Sequence, residues 1–158
     1  MQVSASNQLL TDFHDIAIHY GSGTFCGTYL AILNPLSPDF ERAVNYLLTE
    51  LRERQVTYKY PYGVFPEKGG LLPWGSDENG DVPHWLTEGI PDDWPTILQA
   101  DGGELERFDM PMTTFLAKAF RYQISPKHAW YKAYAPFRDL TFAPTPPVKP
   151  KKARKKKK

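Results

Sequence analysis

A single cysteine, Cys26, among 158 residues leaves nothing for an internal disulfide to join, so no covalent framework ties the fold to an oxidising compartment. No stretch approaches the roughly 18 consecutive apolar residues that a membrane-spanning helix needs. The opening segment, residues 1–21, lacks the basic head, apolar centre and small-residue cleavage site of a secretory signal. A soluble, cytoplasmic protein with no membrane association is expected. Histidine is scarce too: His14, His19, His84 and His128 show no ligand spacing, and with one cysteine a structural zinc site is not expected. Cys26 could draw on His14 or His19 as a base, but no third group orients either, which favours a small buried hydrophobe over a nucleophile. Carboxylates are plentiful, yet no spacing holds a pair in contrasting environments for acid–base work. The chain is therefore read as a non-enzyme, with no catalytic residue, cofactor or metal.

What is present describes a folded body and a charged tail. Hydrophobic residues at 41% and charged residues at 23% are globular values, and the length fits one domain with a real core. Fifteen prolines and 14% aromatics point to many turns and a sheet. The formal charge of +1 hides an asymmetry, because eight of the nineteen basic residues lie in 149–158. Residues 1–148 keep eleven basic residues against eighteen acidic ones, a net of −7. The division is a domain over 1–143 and a Pro/Lys-rich basic tail over 144–158, whose apolar content is too low to fold and which is expected to be disordered.

Periodicity orders the body. Leu9, Leu10, Phe13, Ile16, Ala17 and Tyr20 repeat at helical spacing, and Gly21 stands where a left-handed cap belongs. "GSGTFCG" (21–27) lacks the strand–glycine–helix order of a dinucleotide loop and reads as a cap and tight turn. "TYLAIL" (28–33) reads as a strand. Ser37 and Pro38 mark a helix start, with Phe40, Ala43, Val44, Leu47, Leu48 and Leu51 on its inner face. Strands follow near 71–75, 82–87, 95–99 and 104–108, with turns at "DENG", "IPDD" and "ADGG". A last helix is expected over 109–123, with Asp109 as cap and Met112, Phe115, Leu116, Ala119 and Phe120 inward. Helices flanking a block of strands give α+β: a central antiparallel sheet with flanking helices in a single domain.

The densest stretch, "GGLLPWGSDENGDVPHWLTEG" (69–89), allows one metal reading. Asp77, Asn79, Asp81 and Glu88 fall at positions 1, 3, 5 and 12 of a calcium loop, but Val82 occupies the position that needs Gly, and strand-like flanks replace the two helices. A hairpin turn in which Asn79-Gly80 supplies positive φ is the expectation. From Trp74 to Asp109, ten acidic residues face one basic residue, Arg107, and Trp74, Trp85 and Trp94 are interleaved with them. Taken singly, the tryptophans also read as sheet core and the acids as solvated turns. Taken together they suggest a negative surface with aromatic anchors that meets a basic protein partner, with Asp77, Glu78, Asp81, Glu88, Asp92 and Asp93 for charge and Trp85 and Trp94 as anchors. Trp74, Phe115, Leu116 and Phe120 are assigned to the core. The acidic body disfavours nucleic acid, whereas the tail could bind it nonspecifically.

The ordered set "YGSGTF" (20–25), "NP" (34–35), "GVFPEKGGLLPWGSDENGD" (63–81), "WLTEGIPDDWP" (85–95) and "ERFDMPMTTFLAKAF" (106–120) resembles the SUKH superfamily. That family groups cell-wall-assembly regulators of the SMI-KNR type with bacterial immunity proteins of polymorphic toxin systems. The resemblance spans about residues 8–122 and rests on glycines, turns and aromatics that specify a fold better than a task. It implies an α+β fold and a non-enzymatic binder that occludes a cognate toxin, often a nuclease. Such toxins are commonly basic around their substrate site, which the −7 body would complement. The alternative from another class is a regulatory or scaffolding domain that links a protein partner to nucleic acid through the basic tail.

Overall fold

The structure is a computed structural model that describes residues 10–124, 126–130 and 140–145. Helix α1 (Thr11–Tyr20) turns Phe13 and Ala17 inward and ends at Gly21, whose φ of 71° is open to a residue without a Cβ and whose N–H bonds the Ala17 carbonyl. Strands β1 (Gly23–Phe25) and β2 (Leu30–Ile32) form an antiparallel pair, so part of the expected glycine turn is itself a strand. Helix α2 (Phe40–Tyr58) begins two residues after the Ser37-Pro38 signal, because the Phe40 N–H first closes a turn on the Ser37 carbonyl at 3.1 Å. It buries Val44, Leu48 and Leu51.

Strands β3 (Leu71–Pro73), β4 (Gly75–Asp77), β5 (Val82–Leu86), β6 (Thr96–Gln99) and β7 (Leu105–Phe108) follow, then helix α3 (Met112–Phe120) and strand β8 (Phe142–Pro144). They form two four-stranded antiparallel ladders, ordered β4-β2-β1-β8 and β3-β5-β6-β7. Only Trp74 separates β3 from β4: its N–H donates to Pro83 at 3.0 Å and its carbonyl accepts from Leu33 at 2.9 Å. Residues 71–77 are thus one strand shared by both ladders, and the architecture is α+β.

Strand alternation divides the second ladder's side chains between two cores. Leu71, Leu86 and Ile97 pack with Val44, Leu48 and Leu51 of α2. Trp85 and Leu98 join Phe13, Trp74, Met112, Phe115 and Leu116 on the other side. Both faces are covered, so all four residues of β6 are buried. Each large apolar side chain removed from water contributes on the order of 2 kcal/mol. His84, on the α2 face and fully buried, shares its Nε2 proton with Gln99 Oε1 at 2.8 Å, and Gln99 Nε2 donates to the Tyr60 hydroxyl at 3.3 Å.

Helix α3 is shorter than the pattern suggests. Asp109 does not cap it, because Arg107 Nε holds that carboxylate at 2.6 Å; Asp12 of α1 instead accepts from the Thr113 hydroxyl at 2.7 Å. Phe120 is half-buried against the larger core rather than within it. Strand β8 pairs with β1, and Thr145 N–H donates to the Ser22 carbonyl at 2.8 Å, so ordered pairing runs two residues past the expected boundary at 143. Residues 146–158, and the disorder expected of them, lie outside the described residues.

Candidate functional site

An antiparallel meander returns every second connection to the same end of its sheet. Connections 78–81 and 100–104 therefore share one end of the β3-β5-β6-β7 ladder, and 87–95 lies at the other. The first two have the same build. Gly80 N–H bonds Asp77 at 3.3 Å while Asp77 N–H bonds Asp81 at 3.1 Å; Gly103 N–H bonds Ala100 and Ala100 N–H bonds Glu104, both at 2.9 Å. Gly80 and Gly103 take φ of 87° and 98°. Each is a three-residue loop with a left-handed glycine; of the Asn79-Gly80 pair expected to supply positive φ, Gly80 does so and Asn79 does not.

Carboxylates fasten these hairpins. Asp77 Oδ1 accepts from Asn79 N–H at 2.8 Å and Asp81 N–H at 2.9 Å. Asp81 Oδ1 accepts from Asp101 N–H at 2.9 Å, and its Oδ2 accepts from Trp130 N–H at 3.1 Å. Asn79 Nδ2 donates to the Tyr29 hydroxyl at 3.2 Å, and the Thr28 hydroxyl donates to Glu78. Together they surround a cleft of about 800 Å³ with Tyr29, Asn79, Asp81 and Trp130 on its walls. Glu78, Asp101 and Glu104 stand exposed on its rim, and Lys127 and His128 close one side.

Burial, and then the charge of Asp81, pushes the Asp77 carboxyl up to about 6. Burial and Asp77 push the Tyr29 phenol well above its ordinary range, which keeps it protonated. Arg54 is held by Asp101 through both the carbonyl, at 2.8 Å, and Oδ1, at 2.9 Å. The rim offers exposed carboxylate acceptors suited to a cationic side chain, while Tyr29 and Trp130 beneath it are 7% and 4% exposed.

The expected contact residues do not form one surface. Asp77 and Glu78 reach the cleft end, with Asp77 half-buried and Glu78 exposed. Asp81 is a correction: only 6% exposed, it holds the two hairpins together instead of facing a partner. Trp85 is the second correction. It is 4% exposed, its ring meets Phe13 edge-on at 4.8 Å, and the core requires it. Glu88, Asp92, Asp93 and Trp94 lie at the opposite end of β5, roughly 15 Å away by strand rise. Glu88 is 3.5 Å from Arg107, and Asp92 accepts from the Thr11 N–H and hydroxyl at 2.8 and 3.1 Å, capping α1 across the fold. Asp93 is exposed, and Trp94 is half-buried against the larger core.

Tyr29, Asn79, Asp101, Glu104, Lys127, His128 and Trp130 complete the cleft without having been singled out as contacts. A signal for Asp101 and Glu104 lay in the meander: two loops separated by two strands share an end. Among the described residues, no group of three or more His, Cys, Asp and Glu could hold a metal ion, and no helix is long and apolar enough to cross a membrane. Compared with known proteins, the chain matches no family model, no curated protein and no solved structure.

Proposed function

We propose that the chain is a non-enzymatic protein-binding module that takes a basic partner at the hairpin cleft, acting as an immunity protein that neutralises a cognate bacterial toxin, such as a nuclease, by direct occlusion. The observation that carries the binding reading is the exposed rim of Glu78, Asp101 and Glu104 around the hairpin cleft. A body at −7 steers a cationic partner inward, and a concave site rimmed by carboxylates gives it acceptors to bind. The toxin assignment rests on the motif resemblance to the SUKH superfamily.

The test uses the full chain as bait at low and moderate salt beside two charge-reversed forms, Glu78→Lys with Glu104→Lys and Glu88→Lys with Asp93→Lys. A basic protein held by wild type and by the second form, lost with the first, and inhibited by the chain at equimolar amounts supports the proposal. Equal retention by all three overturns the cleft as the binding site. The scaffolding alternative is favoured by the eight basic residues of 149–158. It calls instead for capture of nucleic acid that disappears when those residues are neutralised.

A further inference from the structure

The loop of the first hairpin carries an amide placed for reaction with its own backbone. Of the four asparagines in the sequence, Asn7, Asn34, Asn45 and Asn79, only Asn79 precedes a glycine. An asparagine side chain is lost when the backbone nitrogen of the next residue attacks its carbonyl carbon and closes a five-membered ring, and a Cβ on that next residue crowds the attack. Gly80 has no Cβ. Asn34 is followed by Pro35, whose nitrogen has no proton to give up, and Asn45 lies inside α2, where regular helical bonding engages the N–H that follows it. Asn7 lies outside the described residues. Asn79 and Gly80 are both exposed, and the two hydrogen bonds that restrain the reacting groups are long: Asn79 Nδ2 donates to the Tyr29 hydroxyl at 3.2 Å, and Gly80 N–H to the Asp77 carbonyl at 3.3 Å. A local opening of the loop frees the nucleophile and the leaving group together.

We propose that Asn79 is a site of spontaneous modification, where the Asn79-Gly80 peptide closes to a succinimide that water opens to aspartate or isoaspartate, at a rate set by opening of the hairpin. The Gly80 nitrogen gives its proton to hydroxide and bonds to Asn79 Cγ; the Cγ–Nδ2 bond breaks, and Nδ2 leaves as ammonia with a proton taken from water. Water then adds to either imide carbonyl and breaks its bond to the Gly80 nitrogen, leaving the chain linked through the main-chain or the side-chain carbonyl of residue 79. One water is consumed, one ammonia is released, and nothing is oxidised or reduced. The matching hairpin supplies an internal comparison. Asp101-Gly102 has the spacing for the same ring, but an ionised carboxylate is a poor electrophile, and Arg54 holds the Asp101 carbonyl and Oδ1 at 2.8 and 2.9 Å. At position 79 the product replaces the donor that Tyr29 accepts with a carboxylate in the loop that already holds Asp77, Glu78 and Asp81, and isoaspartate lengthens the backbone of a three-residue loop. The modified hairpin is expected to loosen. The inference does not depend on what the cleft binds.

The test incubates the full chain in mildly alkaline buffer and follows the peptides that contain each asparagine by mass spectrometry, with fragmentation that distinguishes the two linkages. Amide-to-acid conversion is expected at Asn79 ahead of Asn34 and Asn45, with isoaspartate among the products. Asn79→Gln, which would have to close a six-membered ring, should show none. Tyr29→Phe keeps the ring but removes the hydroxyl that accepts Nδ2, and should speed conversion about two- to tenfold, the factor that the net contribution of one hydrogen bond represents. The converted protein, separated by charge, should exchange the amides of residues 78–81 faster than the parent. Conversion at Asn79 no faster than at Asn45 overturns the inference, as does an acid at 79 with no isoaspartate, since direct hydrolysis leaves the backbone linkage unchanged. A rate in Tyr29→Phe equal to or below that of the parent overturns the opening of the hairpin as the step that sets it.

Discussion

The Asp81 carboxylate accepts the backbone N–H of Asp101 at 2.9 Å, joining two hairpins twenty residues apart in sequence. The same side chain takes the Trp130 N–H at 3.1 Å, so three segments converge on one buried acid. Asp81→Ala leaves both donors without their acceptor and is expected to cost about 2–4 kcal/mol. Asp81→Asn keeps one oxygen and should cost about half as much. Urea unfolding of both variants checks the ranking, and faster amide exchange at Asp101 should accompany the loss.

Stability should respond to two groups with opposite sign between pH 4 and 6.5. Burial, opposed by the Gln99 hydrogen bond, lowers His84 from 6.5 to about 4. The unfolded chain then binds the extra proton first, so this contribution is intact above pH 6.5 and is lost on acidification, by up to about 3 kcal/mol at pH 4. Asp77, raised from 3.8 to about 6, behaves the other way: the folded state binds the proton more readily, and acidification through that window favours folding. Asp77→Asn should therefore lose stability more steeply than wild type from pH 6.5 to 4, and His84→Leu less steeply. Urea midpoints at pH 7, 5.5 and 4.5 read both slopes.

The tryptophans separate core from rim. Trp85→Ala removes a ring at 4% exposure and should destabilise by about 3–5 kcal/mol, whereas half-buried Trp94→Ala should cost noticeably less. Thermal unfolding measures both. Similar small losses would contradict the assignment of Trp85 to the core.

Two glycines test the hairpins. Gly103 has φ 98°, and a Cβ there would run into the Tyr58 ring; Gly89 has φ 73° with open space around it. Gly89→Ala should cost about 1–2 kcal/mol from backbone strain alone, and Gly103→Ala more, since Tyr58 must also move. Denaturant midpoints give the difference directly, and Tyr58→Ala should relieve part of the Gly103→Ala penalty.

Secondary structure was largely legible because it follows from local chemistry. Helical spacing placed α1 and α2, Gly21 placed the end of α1, and alternating apolar runs between Gly/Pro turns placed β5, β6 and β7. The elements that were missed depend on partners far along the chain. Strand β1 is a glycine-rich stretch that becomes a strand by pairing with β2 and β8, and β8 lies in a Pro-punctuated segment that gives no strand pattern alone. Asp109 carries the signature of a helix cap, but Arg107 claims it and distant Asp12 serves α3 instead.

The sequence by itself determined the α+β class, the core stripes and the opposition between an acidic body and a basic tail, because composition and periodicity are properties of the chain alone. Only the tertiary structure decided how the acids divide. Strand pairing sends alternate connections to opposite ends, so Glu78 and Glu104, distant in sequence, share a cleft while Glu88 and Asp93 are carried away from it. Burial then assigned Asp81 and Trp85 to holding the fold together, since desolvating a carboxylate demands hydrogen-bond donors and an indole at 4% exposure has no surface left to offer a partner.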